Sequence, residues 1–210
     1  MQGEIEKRGS IGIIWIDHPP VNAISQAVRT GLVSAVEQAA SDDDIKALVL
    51  ACRGRTFMAG ADITEFGGAP KPPSLSEVID AISASPKIIV AALFGTAFGG
   101  GLEVALGCDY RVALASAKIG LPEVKLGIIP GAQGTQRLPR LAGVDFALKA
   151  ITSGDPVPAL VAHRAGAIDR LVEGDVVDEA VAYAVELVAE NAPLKKIQHM
   201  TIDGGAFDDH

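Results

Sequence analysis

Three short apolar runs, at 11–16, 45–52 and 88–94, leave this chain few folds to choose from. They are short, rich in β-branched Ile and Val, and do not alternate polar with apolar as a half-solvated strand would. Runs of this kind are strands covered on both faces, the condition of a parallel sheet flanked by helices. Helical patterns fall between them. Over 26–40, Leu32, Val33, Val36 and Ala39 with Ala40 supply the apolar face, and Ser25 stands at the N-cap position. A second, shorter helix is read at 76–84. Val177, Val181, Val185 and Val188 recur at helical spacing and predict an amphipathic helix over 177–190. Weaker strand patterns lie at 110–115 and 167–172. This β-α-β-α order predicts an α/β domain with largely parallel strands and crossover helices. With 210 residues the chain can bury a sizeable core. Aromatics make up only 4%, so that core must be aliphatic.

Charge and cysteine usage narrow the function classes. The formal net charge is −8, from 18 basic and 26 acidic residues, which argues against nucleic acid as the default partner. A small anionic ligand held by a few local cations remains compatible with it. Cys52 and Cys108 both lie in or beside apolar runs and read as buried thiols in a reducing compartment. The four histidines are scattered and read as structural or solvated. No metal-ligand spacing, dinucleotide fingerprint, phosphate loop or hydrolase serine motif is present. No apolar run reaches the ~20 residues of a membrane span. The N-terminus does not read as a signal peptide and the C-terminus carries no address signal, so a cytoplasmic location is expected.

Two carboxyl residues stand in glycine-punctuated surroundings. Glu103 follows Gly99, Gly100, Gly101 and Leu102, and Glu123 opens a turn-rich stretch that runs to Pro130 and Gly131. Glutamate is ordinarily a solvated surface residue, and glycine is ordinarily turn punctuation. Three consecutive glycines entering the apolar segment 102–106 are harder to dismiss. They read as a loop opening directly into a helix, with uncovered N–H groups at the positive end of the helix dipole. Two carboxyls beside bare amides suit proton transfer on a carbonyl compound: one takes a proton, the other gives one, and the amides hold the oxygen that becomes negative. A second loop, 53–73, is longer than an ordinary connection and is reserved on that ground for function or motion.

Several motifs in fixed order give a resemblance. Ala59-Gly60-Ala61-Asp62-Ile63, the segment from Gly95 through Glu103 to Asp109, Pro122-Glu123, and the segment from Ile129 and Pro130 through Gln133 to Arg137 and Leu138 are similar to the crotonase (enoyl-CoA hydratase/isomerase) superfamily. The similarity runs from about residue 11 to 190 and is closest to the N-terminal hydratase/isomerase part of multifunctional fatty-acid β-oxidation enzymes. It implies a crotonase-like ββα spiral core over 1–190. It also implies that the C-terminal helices with which the family covers its site and builds trimers are truncated here, leaving 191–210 as an unpacked tail or linker.

The resemblance implies the following chemistry. The amides of Ala61 and Gly100 form an oxyanion hole for a thioester carbonyl. Glu103 activates the water that attacks C3, and Glu123 delivers the proton to C2. Backbone around Ala59, Ala61, Asp62 and Ile63 holds the coenzyme A of an acyl-CoA substrate, and no cofactor or metal is needed beyond it. Arg53, Arg55 and Lys71 are read as partners for the phosphates. The implied function is 2-enoyl-CoA hydration in fatty-acid β-oxidation, with Δ3–Δ2-enoyl-CoA isomerisation open beside it. The alternative is a catalytically weak acyl-CoA-binding or assembly subunit, or part of a longer multifunctional enzyme. Membrane and nucleic-acid partners are not expected, and the oligomeric state is left open.

Overall fold

Successive side chains of a strand point to opposite faces, and this alternation sorts the three apolar runs into two cores. The structure is a computed structural model that describes residues 2–65, 67–69 and 71–202. In chain order its elements are β1 (Glu4–Arg8), β2 (Ile11–Ile16), α1 (Gln26–Ala40), β3 (Ala47–Cys52), α2 (Leu75–Ala84), β4 (Ile88–Leu93), β5 (Thr96–Phe98) and α3 (Gly100–Gly107). There follow β6 (Tyr110–Leu114), β7 (Lys118–Gly120), α4 (Gly134–Ala142), α5 (Val144–Ser153), β8 (Val157–Pro158), α6 (Ala159–Arg164), β9 (Arg170–Val172) and α7 (Val176–Ala189). Short 3₁₀ helices span Ile63–Glu65, Pro122–Leu126 and Ile197–His199. Among the described residues, one sheet has the order β1-β2-β3-β4-β6-β9, antiparallel only at its β1 edge. A small second sheet, β5-β7-β8, stands apart from it.

In β2, Ile14 and Ile16 enter one core while Ile11, Ile13 and Trp15 enter the other. β3 divides likewise into Leu48, Leu50 and Cys52 against Ala47, Val49 and Ala51. The parallel register keeps like with like, setting Ile13 opposite Val49 and Val49 opposite Val90. α7 closes the second core with Val177, Ala180, Ala184 and Leu187. Helices α1, α2 and α3 close the first. Each fully buried Ile, Leu or Val contributes roughly 1.5–3 kcal/mol, so both faces of the sheet stabilise it. This is why the runs read as continuous rather than alternating.

The expected helices start where local caps place them. Ser25 Oγ accepts from the Val28 amide. Ser74 forms a capping box with Glu77, so the second helix begins at Leu75. Asp175 accepts from Val177 and Asp178, starting α7 at Val176. The sequence reading passed over β1, whose largely polar run Glu4–Arg8 pairs along the edge of β2. It also passed over α4, α5 and α6, which are short, punctuated by glycine and carry Pro139 inside α4. The glycine-rich stretch before α3 holds β5, which pairs with β7. No helix among the described residues is long and apolar enough to cross a membrane.

The stretch from residue 191 corrects the expectation of an unpacked tail, because it is docked as far as Met200. Ile197 is buried in the first core. Tyr110 Oη donates to the Pro193 carbonyl at 2.8 Å. Lys195 Nζ lies 2.6 Å from Asp169 Oδ1. Lys196 Nζ approaches Asp109 Oδ1 at 3.0 Å, in a geometry that makes an ion contact without a hydrogen bond. These contacts carry no helical period, so pattern reading had nothing to detect; Asp109, just before β6, and Asp169, just before β9, draw the lysines in. Residues 203–210, read as linker, lie outside the described residues.

Arg111 occupies the centre of that network. It is fully buried, donates to the carbonyls of Ala105, Cys108, Asp109 and Ala167, and pairs with Asp169 at 3.0 Å. Removing one partner of a buried ion pair typically costs about 3–5 kcal/mol, because the other charge is stranded. Arg111→Met is therefore expected to lower unfolding free energy by about that amount in urea titration. A loss below about 1 kcal/mol, the scale of an ordinary surface pair, would show that the network is not supporting the sheet.

Candidate active site

The cavity that concerns function is assembled from the loop after β3 and the N-terminus of α3. The loop is held on both sides. Phe57 N donates to Phe94 O at 2.9 Å and Ala59 N to Val21 O at 3.1 Å. Ile24 N donates to Gly60 O at 2.9 Å, and Asp62 N to Ile24 O at 3.3 Å. These bonds fix the residues flanking Ala61, whose own amide takes no part in them among the described residues. The glycine run supplies the second arm. Gly99 sits at φ +52° and donates to Gly120 O, turning the chain into α3. Gly100 begins the helix, where an amide has no intrahelical acceptor. A Cβ on Gly100 would stand 3.5 Å from the Ala61 nitrogen. Two bare N–H groups from separate segments are thus neighbours.

Glu103 lies on α3, which is buried along its whole length. The residue is only 2% exposed. Its Oε1 accepts from Ala132 N and from Gly134 N, both at 2.8 Å. A Cβ at position 134 would fall 2.9 Å from that oxygen, so glycine is what admits the carboxylate. Burial raises the Glu103 pKa, and the two amides pull against the rise. Glu123 is held differently. It sits in the first turn of the 3₁₀ helix Pro122–Leu126, and its Oε2 is buried with no hydrogen-bond partner among the described residues. Its Oε1 would lie 2.9 Å from a Cβ on Gly99. Burial raises its pKa, its own backbone amide lowers it, and the Glu103 charge raises it further.

Both carboxyls line one cavity of about 380 Å³, together with Ala59, Ala61 and Gly100. The mouth is apolar: Ile63, Leu126, Ile128 and Ile129 line it while remaining exposed. One carboxyl fixed by amides, a second kept bare, and two free N–H groups form a set able to abstract a proton, donate another and hold an oxyanion.

The structure brings together Ala59, Ala61, Ile63, Gly100, Glu103 and Glu123. Asp62 faces elsewhere. Its Oδ1 accepts from Thr64 N and Oγ1, and it lines an adjoining cavity of about 550 Å³ that shares Ala61 and Ser74 with the first. Of the cations read as phosphate partners, Arg53 and Lys71 line different cavities. Arg53 stacks on Trp15, 4.2 Å from the ring centre, beside Phe94 and Val176. Lys71 lines the cavity of Asp62. The scatter follows from strand alternation, since Trp15 and Val176 belong to the α7 side of the sheet.

Sequence reasoning did not assign roles to Ala132, Gly134 or Gly99, which shape the surroundings of the two carboxyls. The signal lay in the quoted run from Gly131 to Gly134, where a glycine can serve close approach as well as a turn. Cys52 and Cys108 are free and buried, as expected, and burial pushes the Cys108 thiol up to about 12. His18 and His163 each set Nδ1 against a backbone carbonyl, at 2.8 and 2.9 Å, in structural roles.

The bare Glu123 carboxyl has a consequence for stability. Its folded pKa stands above the unfolded value, so stability falls as pH rises from the unfolded pKa of about 4.3 through the folded one, and no such cost exists below both. Glu123→Gln should raise the melting temperature at neutral pH, with the gain disappearing near pH ~3.5. Parallel thermal melts test this; a pH-independent difference would mean that the carboxyl is not buried as described.

Comparison with known proteins adds to this geometry. The sequence model described as enoyl-CoA hydratase/isomerase matches residues 6–202. The peroxisomal bifunctional enzyme of Danio rerio is 43% identical over 198 residues, covering 94% of this chain and 27% of its own. The chain thus spans about a quarter of that relative's length. A probable enoyl-CoA hydratase of Bacillus subtilis (strain 168) is 40% identical over 192 residues, with 87% of this chain and 74% of its own covered. The solved structure of an enoyl-CoA hydratase from Bacillus anthracis superposes with a TM-score of 0.83 at 31% identity, covering 91% of this chain and 78% of that one.

Proposed function

The chain belongs to the enoyl-CoA hydratase/isomerase family, and from that membership we propose that its cavity adds water to a trans-2-enoyl-CoA, giving a 3-hydroxyacyl-CoA in fatty-acid β-oxidation. The observation that carries the reading is the unequal treatment of two carboxyls in one cavity. Glu103 accepts two amide hydrogen bonds on one oxygen, which favours its ionised form and leaves Oε2 to act as base. Glu123 has a buried oxygen with no donor aimed at it, which favours the protonated form. Base and acid are therefore distinguished by their surroundings.

The steps follow from that assignment. The thioester carbonyl accepts from the amides of Ala61 and Gly100, and conjugation draws electron density from C3. Glu103 takes a proton from water as its oxygen bonds to C3. Charge collects on the carbonyl oxygen, where the two amides stabilise it; one such donor is worth roughly 2.7–4 kcal/mol. Glu123 then gives its proton to C2 as the enolate collapses. One water is consumed, and a proton passing from Glu103 back to Glu123 through solvent resets the pair. These steps use the chain's own groups and the coenzyme A that the substrate carries. Backbone around Ala59, Asp62 and Ile63 is assigned to binding that coenzyme A.

Isomerisation of a 3-enoyl to a 2-enoyl thioester is a second reading, favoured by the bare Oε2 of Glu123. That one group would carry a proton from C4 to C2 over the same enolate.

Loss of enoyl-thioester absorbance on hydration tests the assignment. Glu103→Gln and Glu123→Gln should each lower kcat by about 10²–10⁴-fold, while both variants stay folded and still bind the thioester. Near-full turnover in either variant removes that residue from the mechanism. Wild-type protein that binds the thioester without turning it over would instead mark a binding subunit.

A further inference from the structure

Between the amides of Ala132 and Gly134 stands Gln133, a non-glycine residue at φ +78°. A side chain in this left-handed region costs of order 1–3 kcal/mol and persists where the surroundings over-determine it. They do so here. Gln133 Oε1 accepts from Arg137 Nε at 2.8 Å, and its Nε2 donates to Asp80 Oδ1 of α2 at 2.8 Å. Its carbonyl accepts from the Arg137 amide at 2.8 Å. Arg137 is 2% exposed. Its Nη1 reaches the Leu106 carbonyl of α3 at 3.4 Å and Gln198 Oε1 of the final 3₁₀ turn at 3.0 Å. Burial lowers its pKa, yet a guanidinium stays charged.

We propose that Arg137 is a positioning residue for Glu103: by gripping Gln133 it fixes the strained turn whose two amides hold the carboxylate. The proposal rests on the hydratase reading, since it concerns where the base stands. Arg137 does not touch the cavity; it acts one residue away from each amide. Its second anchor, Gln198, ties the docked C-terminal turn to the same grip. Because the Leu106 contact lies on the helix that carries Glu103, the arginine measures the turn against that helix and sets their spacing.

The effect has a direction that a purely structural role would not give. The two amides lower the Glu103 pKa against burial. If the turn loosens, their bonds lengthen and the carboxyl becomes harder to ionise, so the acid limb of kcat moves to higher pH. Other ionisable groups on the elements packed around Glu103 are Glu77 and Asp80 of α2, Arg111 of β6, Arg137 and Arg140 of α4, Glu123 across the cavity and His199 of the last turn. Gln133→Gly changes none of these charges, although it frees Asp80 Oδ1 and Arg137 Nε from their bonds to Gln133. Glycine also accepts φ +78° without strain, so that variant keeps the fold while losing the grip.

The experiment compares wild type, Gln133→Gly, Glu103→Gln and the double variant on a short 2-enoyl-CoA across pH. In Gln133→Gly, kcat is expected to fall on the order of tenfold, short of the 10²-fold that a full 1 Å displacement can cost. KM should be nearly unchanged and the acid limb shifted upward. Gln198→Ala should move both quantities the same way by less. In the Glu103→Gln background, Gln133→Gly should cost nothing further. A wild-type kcat and acid limb in Gln133→Gly would overturn the proposal, as would a full additional loss in the double variant. Failure of the hydratase reading looks different: wild type would not hydrate, or Glu103→Gln would hydrate normally.

Discussion

A side chain at position 101 would have nowhere to go. Its Cβ would run into the Met58 carbonyl, so the loop after β3 and the first turn of α3 touch backbone to backbone. That contact sets the distance between the Ala61 and Gly100 amides. The same loop is sewn to the strand side by Phe57 and Phe94 and to the α1 side by Ile24 and Gly60. The loop is therefore long without being loose around Ala61. The pairing of two bare amides is a product of this close approach rather than of any one segment's conformation, and the sheet exists in part to bring the two segments to one end.

Electrostatic cost is distributed on the opposite principle. Arg111, Asp109, Asp169, Lys195 and Lys196 are charged groups near or within the core; they pair with one another and bond to backbone groups, and the buried Asp109 Oδ1 has the Lys196 ion contact without a hydrogen bond. A buried ion pair is weak evidence for added stability. What it secures here is registration: the network ties β6, the segment before β9 and the chain from Pro193 to Met200 into one arrangement. The C-terminal turn reaches Arg137 through Gln198, so docking of this segment and the surroundings of Glu103 are physically continuous. At the site itself the logic reverses, and the Glu123 Oε2 is left without a donor.

How much of this could be read in the sequence depends on the kind of signal. β2, β3 and β4 were legible because burial on both faces leaves an unbroken apolar run. α1 and α7 were legible because one face repeats at helical spacing. β1 was not, since an edge strand such as Glu4–Arg8 carries mixed polarity and its partner is the only evidence for it. Helices α4 to α6 were hidden by shortness and by Pro139. The two glutamates and the glycine run stood out locally, and their convergence is visible in the cavity they share. The groups that grip Glu103 were not legible as such, because backbone amides leave no residue-specific mark. Gly134 marks the spot only through the absence of a side chain. The separation of two cations was not legible for a related reason: Arg53 and Lys71 lie on one loop, but strand alternation directs Arg53 to the α7 side.

The two carboxyls should finally be considered as a pair. Each is raised by burial, and Glu123 is raised further by the charge on Glu103. Two such groups in one cavity resist being ionised together, so over an intermediate range of pH they hold one proton between them. Hydration by the proposed route needs that state and needs the proton on a particular member. Nothing in the composition of two glutamates decides which. The decision comes from two amide bonds at Glu103 and the lack of any at the buried oxygen of Glu123. Loss of the amide bonds would displace the base and remove the groups that lower the Glu103 pKa against burial. The geometry of residues 132–134 therefore bears on the direction of proton flow as much as on the position of the carboxylate. It can do so because both carboxyls line one cavity and the charge on Glu103 is felt at Glu123.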